Sequence, residues 1–206
     1  DGKWFAIGTD DHRLIIWNKQ GPLPATVIPL FSRQITSCST AGQGNFLAAG
    51  FHDGTVRIYQ MPGGHLLREF RGHKKTITTC TITPDGDRLA TVSWDGTTKF
   101  WRLPMGEIIR TWDTHGGGIA SLTGPAGTLI ATITKDGIAR VVDAADGTQI
   151  RTIDLYTSVI RAAAMSHDGI YLASAGADAT LRIWDIRNGS LVAAGDSPAT
   201  SQRCCT

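Results

Sequence analysis

Apolar positions along the chain fall in runs of strand length, not at helical spacing. Some runs are continuous, as in Leu129-Ile130-Ala131-Thr132-Ile133, and others alternate weakly; turn signals such as Pro84-Asp85-Gly86, Asp95-Gly96 and His167-Asp168-Gly169 punctuate them. A strand covered on both faces reads as a continuous apolar run, because neither side of its pleat meets water. No long amphipathic helical period occurs anywhere. The pattern predicts an all-β chain of short strands and tight turns.

The pattern also repeats. Its fullest copy runs from Gly72 to Trp101: a Gly-His pair, an apolar strand ending in Pro84-Asp85-Gly86, a second strand over 88–93, the Asp95-Gly96 turn and a third strand closing on Trp101. With Asp95 to Trp101 as a ruler, the matching segments are Asp11 to Trp17, Asp53 to Tyr59, Asp136 to Val142 and Asp178 to Trp184. Their closing residues stand at 17, 59, 101, 142 and 184, so the steps are 42, 42, 41 and 42. A fixed period near this length, with strands and turns inside each unit, predicts a radial or stacked array.

These units resemble the WD-repeat β-propeller family, over about residues 3–194. The resemblance rests on Gly72-His73, the two Asp-Gly turns at 84–86 and 167–169, the tight turns beginning at Asp53, Asp95, Asp136 and Asp178, and the strand endings Trp17-Asn18, Trp101-Arg102 and Trp184-Asp185. Only the last is a literal Trp-Asp pair, so regular spacing carries more weight than the dipeptide. The resemblance implies an all-β propeller of four-stranded blades: a partial blade over 3–31, complete blades over 34–71, 76–112, 118–154 and 159–194, and a polar tail over 195–206. Burial then lies between blades, which makes the terminal ones the weak points.

Propellers close into rings of about four to eight blades, and a seven-bladed ring at this period needs roughly 290 residues. The expectation is therefore an excerpt of a larger propeller, with a five-bladed ring lacking one strand as the alternative. An excerpt leaves two apolar blade faces open, to be covered by blades from the rest of a longer chain or from another subunit.

Composition narrows the function classes. The chain has 206 residues, 41% apolar and 18% charged, which is a globular balance. A formal charge of +2 argues against nucleic acid as partner. The absence of any apolar run of about 18 residues argues against a membrane span. The polar opening Asp1-Gly2-Lys3 carries no signal-peptide pattern, and a cytoplasmic location is the expectation. Cys38 and Cys80 stand 42 apart on equivalent inner strands and read as small buried apolar residues. Cys204-Cys205 is a vicinal pair in the polar tail, with no partner cluster at metal-ligand spacing. Neither a metal nor a cofactor is expected.

His73, Ser93 and Asp95 together suggest a hydrolase. A triad needs a base within reach of an open nucleophile, with oxyanion donors nearby, and the nucleophile-elbow motif Gly-x-Ser-x-Gly does not occur. The family resemblance implies instead a buried hydrogen-bonded tetrad inside one blade: His73, Thr91, Asp95 and Trp101, with Ser93 as an adjacent alternative for the hydroxyl. Other units keep parts of it. The fifth has Ser174, Asp178 and Trp184, with Tyr156 at the histidine position; the fourth has His115, Thr132 and Asp136, with Val142 in place of tryptophan; the second has Asp53, with Phe31, Ala49 and Tyr59. The third blade, with all four members, is expected to be the most rigid. No phosphate-binding Gly-rich loop, His-Glu-x-x-His motif or acidic cation loop is present.

A binding module of this kind uses the face that carries the loops between second and third strands. The residue ahead of each turn aspartate projects there: Asp10, His52, Trp94, Lys135 and Ala177. Trp94 is the informative one, since tryptophan is enriched among interface hot spots. By the resemblance, Gln34 and Thr36, Thr76 and Thr78, and Val159 and Arg161 share that face, while the fourth blade is left unassigned around Gly116-Gly117-Gly118. A patch of Trp94, His52, Arg161 and Lys135 is mildly basic and aromatic and suits an acidic peptide or protein. Packing of Trp94 against a neighbouring loop is the alternative. The functional expectation is a non-catalytic scaffold for protein or peptide binding. Its rivals are a regulatory or sensor propeller of a larger signalling or enzymatic protein, and a hydrolase using His73, Ser93 and Asp95.

Overall fold

A computed structural model describes residues 4–21, 24–30, 34–41, 44–114, 118–124, 127–155 and 159–196. Phe31, His115, Tyr156, Cys204 and Cys205 lie outside the described residues. No helix occurs among the described residues, and so none is long and apolar enough to cross a membrane.

Five antiparallel sheets follow one another along the chain. The first has three strands, β1 (Trp4–Thr9), β2 (Arg13–Asn18) and β3 (Pro24–Pro29). The second holds β4 (Ile35–Thr40), β5 (Phe46–Phe51), β6 (Thr55–Gln60) and β7 (His65–Arg71). The third holds β8 (Ile77–Ile82), β9 (Arg88–Ser93), β10 (Thr97–Arg102) and β11 (Glu107–Asp113). The fourth holds β12 (Gly118–Thr123), β13 (Leu129–Thr134), β14 (Ile138–Asp143) and β15 (Gln149–Asp154). The fifth holds β16 (Ile160–Met165), β17 (Tyr171–Gly176), β18 (Thr180–Asp185) and β19 (Ser190–Asp196). Spatial order equals sequence order within each sheet, so every blade is a meander of hairpins. The last strand runs to Asp196, beyond the expected end at Ala194.

The blades stack through their inner strands: β1 lies against β4, β4 against β8, β8 against β12 and β12 against β16. Side chains of one strand alternate between two interfaces. In β5, Leu47, Ala49 and Phe51 join Leu14 and Ile16 of the first sheet, while Ala48 joins Ile77, Ile82 and Leu89 of the third. In β13, Ile130 packs with Phe100 of the third sheet, and Ala131 and Ile133 pack with Leu172 and Trp184 of the fifth. This two-sided packing is the physical reason for the continuous apolar runs. The outer strands β7, β11 and β19 are largely exposed, so burial fades from the inner edge outward.

Each sheet carries an irregularity at one recurrent place in its last-but-one strand, just ahead of the closing residue: Ile16/Trp17, Ile58/Tyr59, Phe100/Trp101, Val141/Val142 and Ile183/Trp184. A second series lies at the start of the inner strands, and it builds the candidate site.

Candidate functional site

The hairpins joining second and third strands place His52, Trp94 and Ala177 directly ahead of the turn aspartates. One backbone hydrogen bond anchors each to the entry of its own inner strand: His52 N–H to the Gln34 carbonyl at 3.0 Å, Trp94 N–H to Thr76 at 3.0 Å and Ala177 N–H to Val159 at 2.8 Å. With its backbone pinned, Trp94 leaves its side chain in solvent, and the residue is 55% exposed. The Lys135 ammonium of the next blade stands 5.7 Å from the Trp94 ring centroid, within cation–π range. Trp94 thus touches a neighbouring hairpin without being buried by it.

The inner strands supply the rest of the wall. β4, β8, β12 and β16 each have a register shift near the start, between Ile35 and Ser37, Ile77 and Thr79, Gly118 and Ala120, and Ile160 and Ala162. A bulge of this kind frees one residue from the ladder and re-aims its side chain. The skipped residues are Thr36, Thr78, Ile119 and Arg161, and all four line one cavity of about 500 Å³. His52, Thr76, Ile77, Trp94, Gly118, Lys135 and Ile160 complete the lining, so four blades contribute to it.

Of the expected partner face, Trp94, His52, Lys135, Thr76, Thr78, Thr36 and Arg161 therefore meet at one cavity. Val159, Gln34, Asp10 and Ala177 stand outside its lining. Val159 precedes the bulge that turns Arg161 inward, and its carbonyl is taken by Ala177. The fourth blade's inner-strand contribution, Gly118 and Ile119, was not read from the sequence, whereas its hairpin residue Lys135 was. A signal was present: positions 36, 78, 119 and 161 step by 42, 41 and 42, as do the turn aspartates at 53, 95, 136 and 178.

The wall has an apolar floor and a basic rim. Ile77 and Ile160 are buried beneath it. The Thr78 hydroxyl donates to the Val92 carbonyl at 3.1 Å, and the Thr36 hydroxyl is shared between the Gly50 and Ile77 carbonyls. Those hydroxyls are satisfied within the blades. No carboxylate belongs to the lining.

The tetrad residues meet elsewhere, inside the third blade. The Trp101 indole N–H donates to Thr91 Oγ1 at 2.7 Å, Thr91 Oγ1 lies 2.8 Å from His73 Nε2, and His73 Nδ1 lies 3.0 Å from Asp95 Oδ2. Burial pulls the His73 imidazole below its ordinary value of 6.5, against the opposing pull of Asp95. The ring is then neutral near pH 7, and the network assigns its proton to Nδ1, with Nε2 accepting from Thr91. Burial pushes Asp95 up, but the Thr97 hydroxyl, the Lys74 N–H and His73 outweigh it and bring the carboxyl down to about 2. The preceding glycine is set by close approach: a Cβ on Gly72 would collide with the Trp101 ring.

Ser93 is brought into a different role. It is fully buried, its hydroxyl donates to the Lys75 carbonyl at 3.0 Å and it accepts the Asp95 N–H at 3.1 Å. His73 is hydrogen-bonded to Thr91 instead of Ser93. His73 is thus not poised on Ser93, and Ser93 is not open to solvent.

The partial sets are brought together only in part. In the fifth blade the Trp184 indole donates to Ser174 at 3.0 Å, while Asp178 is held by Thr180 and Arg182. In the fourth, Asp136 accepts from Thr134, and Thr132 Oγ1 is buried with no hydrogen-bond partner among the described residues. Val142 fills the tryptophan position there and is buried. Among the described residues no group of three or more His, Cys, Asp or Glu could hold a metal ion.

A family model described as "WD domain, G-beta repeat" matches residues 27–60, 64–102 and 147–185, together more than half of the chain. Similar curated proteins include Nuclear distribution protein PAC1-2 of Uncinocarpus reesii (strain UAMH 1704), 37% identical over 67 residues, which is 32% of this chain and 15% of that protein. Nuclear distribution protein PAC1 of Arthroderma benhamiae (strain ATCC MYA-4681 / CBS 112371) is 38% identical over 61 residues, 30% of this chain and 13% of that protein. The matched part of the chain thus spans only 13–15% of these relatives' length. Repeat spacing, meandering sheets and three matched segments agree: the chain belongs to the WD domain, G-beta repeat family.

Proposed function

We propose that the chain is a non-catalytic scaffold that binds a protein or peptide partner through the four-blade cavity around Trp94. The observation that carries this reading is an indole 55% exposed on a wall otherwise fixed by backbone hydrogen bonds and bulges. A large aromatic surface in a preformed concavity gains burial on binding with little ordering cost. Catalysis by His73, Ser93 and Asp95 is disfavoured, because the imidazole is committed to Thr91 and the serine hydroxyl to a carbonyl. Extending the family's fold to a binding role is analogy, and the cavity chemistry supports it.

A second reading, a regulatory propeller within a larger protein, is favoured by one observation. Phe5 and Ile7 point away from the second sheet and are 53% and 50% exposed, and Leu181 of the last sheet is 40% exposed. Cover for these faces from further blades, in a longer chain or a second subunit, belongs to that reading.

The test is binding of wild type and Trp94→Ala to an array of short peptides, with thermal melting as a control on folding. Loss of binding at unchanged melting temperature supports the cavity as the docking site. Unchanged affinity with unchanged folding removes it.

A further inference from the structure

The cavity around Trp94 carries two side-chain cations and no carboxylate. Lys135 and Arg161 are exposed at its rim, and neither is ion-paired among the described residues. The turn aspartates of the third, fourth and fifth blades are spent elsewhere. Asp95 is bound by His73 and Lys74, and Asp136 accepts from Thr134 and from the Ile138 N–H. Asp178 pairs with Arg182 at 2.9 Å. The rim therefore keeps uncompensated positive charge in a chain whose formal net charge is only +2.

Beneath the rim the surface is apolar. Ile77, Ile119 and Ile160 come from three different blades, and the Trp94 ring stands beside Lys135. An occupant has two demands to meet: a bulky apolar side chain for the isoleucines and the indole, and negative charge close to it for the cations.

Resting on the docking reading above, we infer that the occupant is an acidic segment of a protein, with a bulky aliphatic residue flanked by Asp or Glu. The aliphatic group covers the isoleucines and stacks against Trp94. The flanking carboxylates meet Lys135 and Arg161, the latter offering a guanidinium able to grip a carboxylate with two parallel hydrogen bonds. Charge complementarity sets which partners are accepted, and the apolar anchor supplies most of the affinity.

The experiment is fluorescence anisotropy with short fluorescein-labelled peptides of Ser, Ala and Gly carrying a central Leu flanked by Glu. Matched peptides carry Gln or Lys in place of Glu, or Ser in place of Leu, and a labelled single-stranded oligonucleotide serves as a polyanion probe. The Glu-Leu-Glu peptide is expected to bind roughly tenfold tighter than either the Gln or the Ser version, with affinity falling as salt rises. The double variant Lys135→Glu, Arg161→Glu, whose altered side chains are exposed, is expected to prefer the Lys peptide, and Ile119→Ser to erase the difference between Leu and Ser.

Equal or tighter binding of the Gln or Lys peptide to wild type, still abolished by Trp94→Ala, overturns the acidic partner and leaves the docking site standing. An oligonucleotide that binds more tightly than the Glu peptide overturns it in favour of a polyanion. Absence of any Trp94-dependent binding across the set overturns both readings.

Discussion

Within the third blade, proton donors run in one direction from the Trp101 indole through Thr91 and His73 to Asp95. Each polar atom is satisfied by the next, which allows the set to sit in the interior without the penalty of an unpaired group. Its pH dependence follows from two lowered pKa values. His73 is held neutral in the fold, so protons favour the unfolded chain below the ordinary 6.5, and the stabilisation present above that value declines as pH falls through it. Asp95 is brought down to about 2, so its contribution is full above the usual carboxylate range and is lost as pH falls from there toward 2. Urea midpoints measured across pH are expected to decline in these two windows. His73→Gln should be less stable and should lose the upper decline; a variant retaining the full wild-type slope below pH 6.5 would contradict the assignment.

The four tetrad residues were legible through the family resemblance, which carries His73, Thr91, Asp95 and Trp101 over by position and left Ser93 as an alternative to Thr91. Thr97 was not, although its hydroxyl donates to Asp95 at 2.7 Å and lies 3.2 Å from His73. Threonine is ordinary in strands and carries no positional signal of its own. The fourth blade's hydroxyl was legible as a residue but not as a bond. Val142 stands where an indole N–H donor would be, Thr132 has no hydrogen-bond partner among the described residues, and the nearby Asp136 takes Thr134.

At the scale of elements, the hairpin after each turn aspartate needs a left-handed residue. Gly54, Gly96 and Gly137 supply it with φ near +80°, at 79°, 83° and 80°. The first and fifth blades place His12 and Ala179 in the same conformation, with φ of 60° and 59°. A side chain there carries a steric cost that glycine avoids, of about 1–2 kcal/mol before the loss of backbone entropy. Ala179→Gly is accordingly expected to stabilise the chain by roughly 0.5–1 kcal/mol in urea denaturation; a drop in stability would show that the turn is held by something other than its backbone angle.

Elements also differ in their internal ties. The third blade ties β9 and β10 to the loop leading into β8 through its polar network, whereas the second has Ala49 and Tyr59 at the hydroxyl and tryptophan positions. Amide exchange is expected to be slower in β9 and β10 than in β5 and β6. Equal protection would mean that packing between blades alone sets local stability. The inner-strand bulges were the least legible elements. A bulge is a property of two paired backbones, and nothing in Thr36, Thr78, Ile119 or Arg161 as residue types announces it.

Across the whole molecule, stability resides between sheets. Four apolar clusters hold most of the buried core, each shared by two successive blades. Each fully buried Leu or Ile in them contributes about 1.5–3 kcal/mol, against about 0.5–1.5 kcal/mol net for a single hydrogen bond. The tetrad therefore refines one blade, while the stack depends on neighbours. The first and last sheets each have one neighbour among the described blades, and Phe5, Ile7 and Val27 line the first sheet's outer side with Ile15 and Trp17 as cross-strand partners. Sedimentation analysis is expected to show concentration-dependent association, reduced by Phe5→Ser with Ile7→Ser. A monomer at every concentration would place little drive in those faces.

Two tryptophans separate binding from folding. Trp94 is exposed at the cavity and Trp101 is buried in the tetrad, so the most direct measurement is a crossed comparison of Trp94→Ala and Trp101→Phe by thermal melting and by peptide-array binding well below the melting temperature. The expected result is that Trp94→Ala melts like wild type and loses binding, while Trp101→Phe loses about 1–3 kcal/mol of stability and keeps binding. The reverse outcome, with binding following Trp101 and stability following Trp94, contradicts the account.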